Sequence, residues 1–163
     1  LREHRPSLWI SYAPLDDVFS GRAPVFGQHH LLAGPQHSWE RLKVGGGTPP
    51  VRTAAGWLLL YHGVCGQSDT GVGQPRGLCY SAGVMLLDLD DPRRVLYRSA
   101  RSILQPRTRA ERQGIVPRVV FPTGVDLRAD GVLDVYYGMA DSRIGVARAT
   151  LTGLLRPALP QAA

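Results

Sequence analysis

An all-β, antiparallel fold is what this sequence predicts, on three observations. Its apolar runs are short, rich in Leu, Val, Tyr and Trp, and bounded by Gly, Pro and Asp at close intervals. No stretch sustains a long 3.6-residue apolar period, so helices of ordinary length are not expected. The third observation is an internal repeat: Gly56-Trp57-Leu58-Leu59-Leu60-Tyr61-His62-Gly63 aligns with Gly131-Val132-Leu133-Asp134-Val135-Tyr136-Tyr137-Gly138, matching Gly, Leu, Tyr and Gly in the same places.

In chain order, Ser7 to Tyr12 reads as a strand rich in Trp, Ile and Tyr, followed by a Pro-Leu-Asp-Asp turn. His29 to Ala33 reads as a second strand closed by Gly34 and Pro35, and the two are expected to pair. Past three consecutive glycines, Gly45 to Gly47, come strands over Pro49–Arg52, Gly56–Val64, Tyr80–Leu89 and Arg94–Arg98, with Asp88 to Pro92 as the turn between the last two. Val116–Val125, Val132–Gly138 and Ile144–Ala149 repeat the design, with Asp130-Gly131 as a tight turn. A weaker echo joins Leu31-Leu32-Ala33-Gly34-Pro35 to Ser102-Ile103-Leu104-Gln105-Pro106, each closing a unit.

Repeated four-stranded antiparallel sheets are the mark of propeller blades. A sandwich would supply similar strands but does not explain the repeat. The expected division is the end of one blade over residues 1–38, a full blade over 39–110, a further blade over 111–155 and a tail over 156–163.

With 163 residues and 44% hydrophobic content the chain suits one globular domain or part of one. Its formal charge of +6 favours anionic partners, but the arginines are scattered rather than gathered on one helix or interleaved with aromatics, which argues against nucleic acid. No apolar run reaches membrane-span length and the N-terminus has neither a signal-peptide hydrophobic region nor an initiator methionine, so a cytoplasmic protein away from membranes, cut at its start, is expected. Cys65 and Cys79 flank a Gly-rich loop and could face each other across a hairpin. One pair makes no disulfide framework, and both read as free thiols.

Chemistry concentrates between Trp39 and Val64. Lys43 is a flexible point charge beside glycines whose amides an anion could approach, and His62 adds a donor that titrates near neutrality. A solvated loop lysine and a hydrogen-bonded structural histidine account for the same residues. Asp88, Asp90 and Asp91 fit a turn cap better than a metal site, Trp57 fits the core, and His29, His30 and His37 lack metal-ligand spacing, so no metal or cofactor is assigned.

His4-Arg5-Pro6-Ser7, WERLKVGGGTPP at Trp39 to Pro50, GWLLLYHGV at Gly56 to Val64, LLDLDDPRRVLYRS at Leu86 to Ser99, VVFPTG at Val119 to Gly124 and DGVLDVYYGMADSRIGVA at Asp130 to Ala147 follow one another in order. Together they resemble the mannoside phosphorylases of glycoside hydrolase family 130. The resemblance implies a five-bladed propeller, incomplete in this chain, and an inverting enzyme in which inorganic phosphate attacks a mannosyl anomeric carbon to give mannose 1-phosphate. By the same resemblance Arg5, Lys43, His62 and Tyr80 belong to the phosphate pocket, and Asp141 holds mannosyl hydroxyls; on pattern alone Asp141 is an ordinary turn aspartate.

The expected partners are thus phosphate and a β-mannoside oligosaccharide. The family's catalytic aspartic acid is expected upstream of Leu1, so the isolated chain should lack a general acid and be inactive, with uncovered blade edges open to self-association. The competing readings are a β-mannoside hydrolase of the same family, and a non-catalytic carbohydrate- or anion-binding remnant.

Overall fold

A computed structural model describes residues 6–67 and 76–155 of the chain. Arg5 therefore lies outside the described residues. The architecture is antiparallel and all-β with a few short helical turns, as the sequence predicts.

Strand β1 (Leu8–Ile10) pairs with β2 (His30–Ala33), and helix α1 (Leu15–Phe19) occupies the link between them. The central sheet holds β3 (Lys43–Gly46), β4 (Val51–Thr53), β5 (Gly56–Gln67), β6 (Arg76–Leu87) and β7 (Val95–Arg98). In it β3 and β4 lie end to end along one edge of β5, while β6 and then β7 follow on the other. Helix α2 (Arg109–Arg112) leads to a third sheet of β8 (Val120–Leu127), β9 (Val132–Met139) and β10 (Arg143–Thr150), closed by α3 (Leu151–Leu155). Among the described residues these sheets do not close into a ring.

The repeat holds physically on one face. Leu58, Leu60 and His62 are buried on β5, and Leu133, Val135 and Tyr137 are buried at the matching positions of β9. Leu58, Leu60, Leu133 and Val135 share one apolar cluster, so the two repeated strands belong to separate sheets packed through equivalent faces. On the other face they diverge. Leu59 and Tyr61 sit in a second buried cluster with Val44 and Met85, whereas Asp134 pairs with Arg128 and Arg148 and Tyr136 is exposed. A strand covered on both sides is apolar throughout, while one covered on a single side alternates.

Several elements differ from expectation, among them a helix at Leu15–Phe19 where a turn was expected. Gly45 and Gly46, the first two residues of the glycine run, lie in strand β3 and not in a loop. Strand β8 starts at Val120 rather than Val116, because Arg118 adopts a φ of 61° and the Val119 amide donates to the Glu111 carbonyl at 3.1 Å. Strand β6 ends at Leu87, where Asp88 accepts hydrogen bonds from the amides of Asp90 and Asp91 at 2.9 and 3.0 Å, the turn-capping role read from its sequence.

The proline echo proves deeper than the sequence reading had it. Glu40 and Glu111 are each the fifth residue after the repeated prolines, Pro35 and Pro106, and both are buried. Glu40 accepts from the amides of Gln36 and His37 at 3.3 and 3.1 Å, and Glu111 from those of Arg107 and Thr108 at 2.8 and 2.7 Å. Each also receives a tyrosine hydroxyl from the repeated strand, Tyr61 at 2.8 Å and Tyr137 at 2.9 Å. Arg98 completes the first junction, 2.6 Å from Glu40 and 3.1 Å from the Tyr61 hydroxyl.

Removing the Glu40 charge leaves the Arg98 guanidinium without its buried counter-ion. Glu40→Gln is therefore expected to cost about 3–5 kcal/mol of stability, the range for breaking a buried ion pair from one side. Urea unfolding checks this, and an unchanged midpoint would show the junction to be dispensable.

Candidate functional site

Directly opposed residues of antiparallel strands share a face, and so do residues two apart along each strand. The register of β3, β5 and β6 sets Lys43 opposite Val64 and Val64 opposite Tyr80, making one cross-strand row. Gly45, His62 and Ala82 form the next row on the same face. Lys43, His62 and Tyr80, distant in sequence, therefore meet at one end of the central sheet. The Lys43 Nζ lies 5.9 Å from the Tyr80 ring centroid, and the His62 and Tyr80 rings are stacked with centroids 6.0 Å apart. Phe121, from β8, closes the group with its ring 4.5 Å from that of His62.

The glycines beside Lys43 serve a different purpose from the one their sequence suggests. A Cβ on Gly45 would come within 2.5 Å of the His62 Cε1, and one on Gly47 within 2.6 Å of the Leu60 carbonyl oxygen. The run is glycine so that the histidine ring and the neighbouring strand can lie against the backbone. Gly46 contributes a carbonyl rather than an amide, accepting from His62 Nδ1 at 2.7 Å.

That bond fixes the imidazole. A carbonyl only accepts, so Nδ1 carries the proton and Nε2 of the neutral ring presents a lone pair. Among the described residues the buried Nε2 atom has no hydrogen-bond partner, an arrangement that costs about 1–3 kcal/mol. Burial lowers the His62 pKa below its usual value; the Gly46 carbonyl opposes the shift and the nearby Lys43 charge adds to it. Lys43, the only lysine in the sequence, has no carboxylate within ion-pair reach among the described residues. An ammonium, an imidazole with an unprotonated nitrogen and a phenol on one face are the group types that bind an anion which itself carries a proton. None of them is a carboxylic acid.

Asp141 stands on the next sheet, exposed in the turn between β9 and β10 with a φ of 50°. Backbone bonds tie that turn toward the cationic row: the Tyr80 amide donates to the Arg118 carbonyl and the Ala140 amide to the Val119 carbonyl, both at 3.0 Å. Arg118, Ala140 and Asp141 are the described non-glycine residues with positive φ, all at this junction. Backbone held in such sparsely populated conformations gathers at functional sites. Sequence reasoning thus named Lys43, His62 and Tyr80 together, set Asp141 on a neighbouring element, and gave no role to Phe121, although the VVFPTG motif contains it.

The sequence model of the β-1,4-mannooligosaccharide phosphorylase family, glycoside hydrolase family 130, matches residues 5–156. The β-1,4-mannooligosaccharide phosphorylase of Ruminococcus albus is 35% identical over 144 residues, which is 86% of this chain and 41% of that protein. The solved β-1,2-mannobiose phosphorylase of Listeria innocua, in complex with β-1,2-mannobiose, superposes with a TM-score of 0.69 at 34% identity, covering 82% of this chain and 35% of the other. A structure from a study of family members that hydrolyse β-1,2-mannosidic linkages in Candida mannan superposes with a TM-score of 0.66 at 26% identity, covering 86% and 40%. The chain spans less than half the length of the curated relatives it matches.

The depressed His62 pKa makes a signed prediction. As pH falls below 6.5 the unfolded chain takes up a proton that the folded imidazole refuses, so stability from this group declines between 6.5 and the lower folded value. In a phosphate-free buffer, NMR of the His62 ring should show a midpoint below 6.5, and added phosphate should raise it, because a nearby anion favours the imidazolium. A phosphate-free midpoint at or above 6.5 would contradict this environment.

Proposed function

Because the chain belongs to glycoside hydrolase family 130, we propose that it is the C-terminal, phosphate-holding part of an inverting β-mannoside phosphorylase. The observation that carries the proposal is the buried His62 Nε2, unpartnered among the described residues, on the same face as Lys43 and Tyr80. Lys43 would pair with phosphate oxygens, the Tyr80 hydroxyl would donate to one, and Nε2 would take or share a phosphate proton. Arg5 is proposed as a fourth member, its guanidinium suited to bridge two oxygens.

In this reading phosphate is held against the face of the mannosyl ring opposite the leaving sugar, and its attack inverts the anomeric centre to give mannose 1-phosphate. Positive charge around the nucleophile offsets the repulsion between two electron-rich groups. Asp141, ionised, would accept from mannosyl hydroxyls and fix the ring. The proton for the leaving oxygen would come from an aspartic acid outside Leu1–Ala163, in a further part of a five-bladed propeller. The outer face of the β8–β10 sheet supports such an arrangement, since Tyr136, Ile144 and Val146 lie exposed on it, 42%, 78% and 56% accessible. The same face is where self-association of the isolated chain would occur.

A hydrolase is the second reading, favoured by the likeness to the family members that cleave with water. A hydrolase has no use for a lysine, an imidazole and a phenol gathered on one face of the sheet, so this grouping favours phosphorolysis.

The chain incubated with phosphate and β-mannobiose is expected to yield neither mannose 1-phosphate nor free mannose, because phosphate binding cannot replace proton donation in the same transition state. Release of mannose 1-phosphate that disappears in Asp141→Asn would overturn the assignment of the acid. Release of free mannose independent of phosphate would instead support the hydrolase.

A further inference from the structure

On the face of the central sheet opposite the Lys43–Val64–Tyr80 row, Cys65 and Cys79 are directly opposed in the β5–β6 register. Both are free and half-buried. Directly opposed residues of antiparallel strands have Cα atoms about 4.5 or 5.5 Å apart, and disulfides bridge Cα separations of about 4.4–6.8 Å, so the pair lies within bridging range without moving the strands. Each thiol opens on its own cleft. The Cys65 cleft is lined by Ser38, Arg41 and Arg118, and the Cys79 cleft by Arg107, Arg112 and Arg118. Arg118 lines both clefts, and the guanidiniums around the two thiols favour a small reagent that carries carboxylates.

We infer that Cys65 and Cys79 form a redox-active dithiol that closes to a cross-strand disulfide by exchange with a small anionic disulfide of the glutathione class. One thiolate attacks a sulfur of oxidised glutathione and expels one glutathione thiolate, leaving a mixed disulfide on the protein. The second cysteine attacks the protein sulfur of that adduct and expels the other glutathione. The two protein thiols give up two electrons and two protons, and oxidised glutathione leaves as two molecules of the thiol. The bond forms one residue from Val64 and Tyr80 along their strands, so it pins the strand ends that carry the cationic row. Burial and the neighbouring Cys79 raise the Cys65 thiol above its usual pKa, which makes a mildly alkaline buffer the suitable condition.

The full chain, reduced and then incubated folded with oxidised glutathione, is analysed by intact mass, thiol titration and non-reducing peptide mapping. The expected product is a monomer lighter by two hydrogens, with both thiols gone, a Cys65–Cys79 peptide link and full reversal by dithiothreitol. Cys79→Ser should stop at a single glutathione adduct on Cys65, the trapped first step. The oxidised wild type should unfold at a higher urea concentration than the reduced one, a shift absent in Cys79→Ser. Stable glutathione adducts on the wild type, unmodified thiols, or disulfide-linked dimers would each overturn the inference.

Discussion

The pairing of Gly45 with His62 is the constraint on which the candidate site depends. The imidazole needs the space that a Cβ would fill, and the register that supplies this space also determines what stands in the next row. A shift of one residue would move Lys43 to the opposite face, away from His62 and Tyr80. The same register lets the Gly46 carbonyl hold Nδ1, and that bond leaves the buried Nε2 as the unprotonated nitrogen of the neutral ring. A single backbone alignment thus sets the charge, the tautomer and the ring orientation together.

Buried carboxylates fasten the turns that precede the central and third sheets. Glu40 and Glu111 each organise a short turn through two backbone amides and then reach a tyrosine on the repeated strand, so each unit begins by fastening its loop to its own core. Their surroundings differ in one respect that bears on the site. Glu40 is additionally charge-paired with Arg98 on β7, which ties the far edge of the central sheet to the turn immediately before β3. Lys43 follows that turn by three residues, so the first junction anchors the strand that presents it. At the second junction, the Thr108 and Arg107 amides and the Tyr137 hydroxyl overcome the desolvation of Glu111 and hold its carboxyl below the usual range.

Most of the strands were legible because apolar runs between Gly, Pro and Asp determine extended segments locally, and the repeat could be seen because its inward faces carry the same residue classes. Strand β3 was not legible, since Lys-Val-Gly-Gly has weak strand propensity and forms one only because β5 offers a partner edge and His62 demands glycine opposite it. Glu40 and Glu111 were missed for a related reason: a single glutamate in a polar turn carries no sign in the sequence that it is buried. Lys43 and His62 were named from their residue types beside the glycines and Tyr80 through motif resemblance, while their meeting follows from register, which local sequence does not display. Phe121 escaped notice because its contact with His62 crosses between two sheets.

The central claim is that Lys43, His62 and Tyr80 form one anion site selective for phosphate. Calorimetric titration of inorganic phosphate into the chain, compared with Lys43→Ala, tests it most directly. The account predicts saturable binding that Lys43→Ala weakens roughly 10- to 100-fold, as expected for loss of a charge-assisted hydrogen bond worth about 1.5–3 kcal/mol. Binding of equal strength in both proteins, or no binding to the folded wild-type chain, would contradict it.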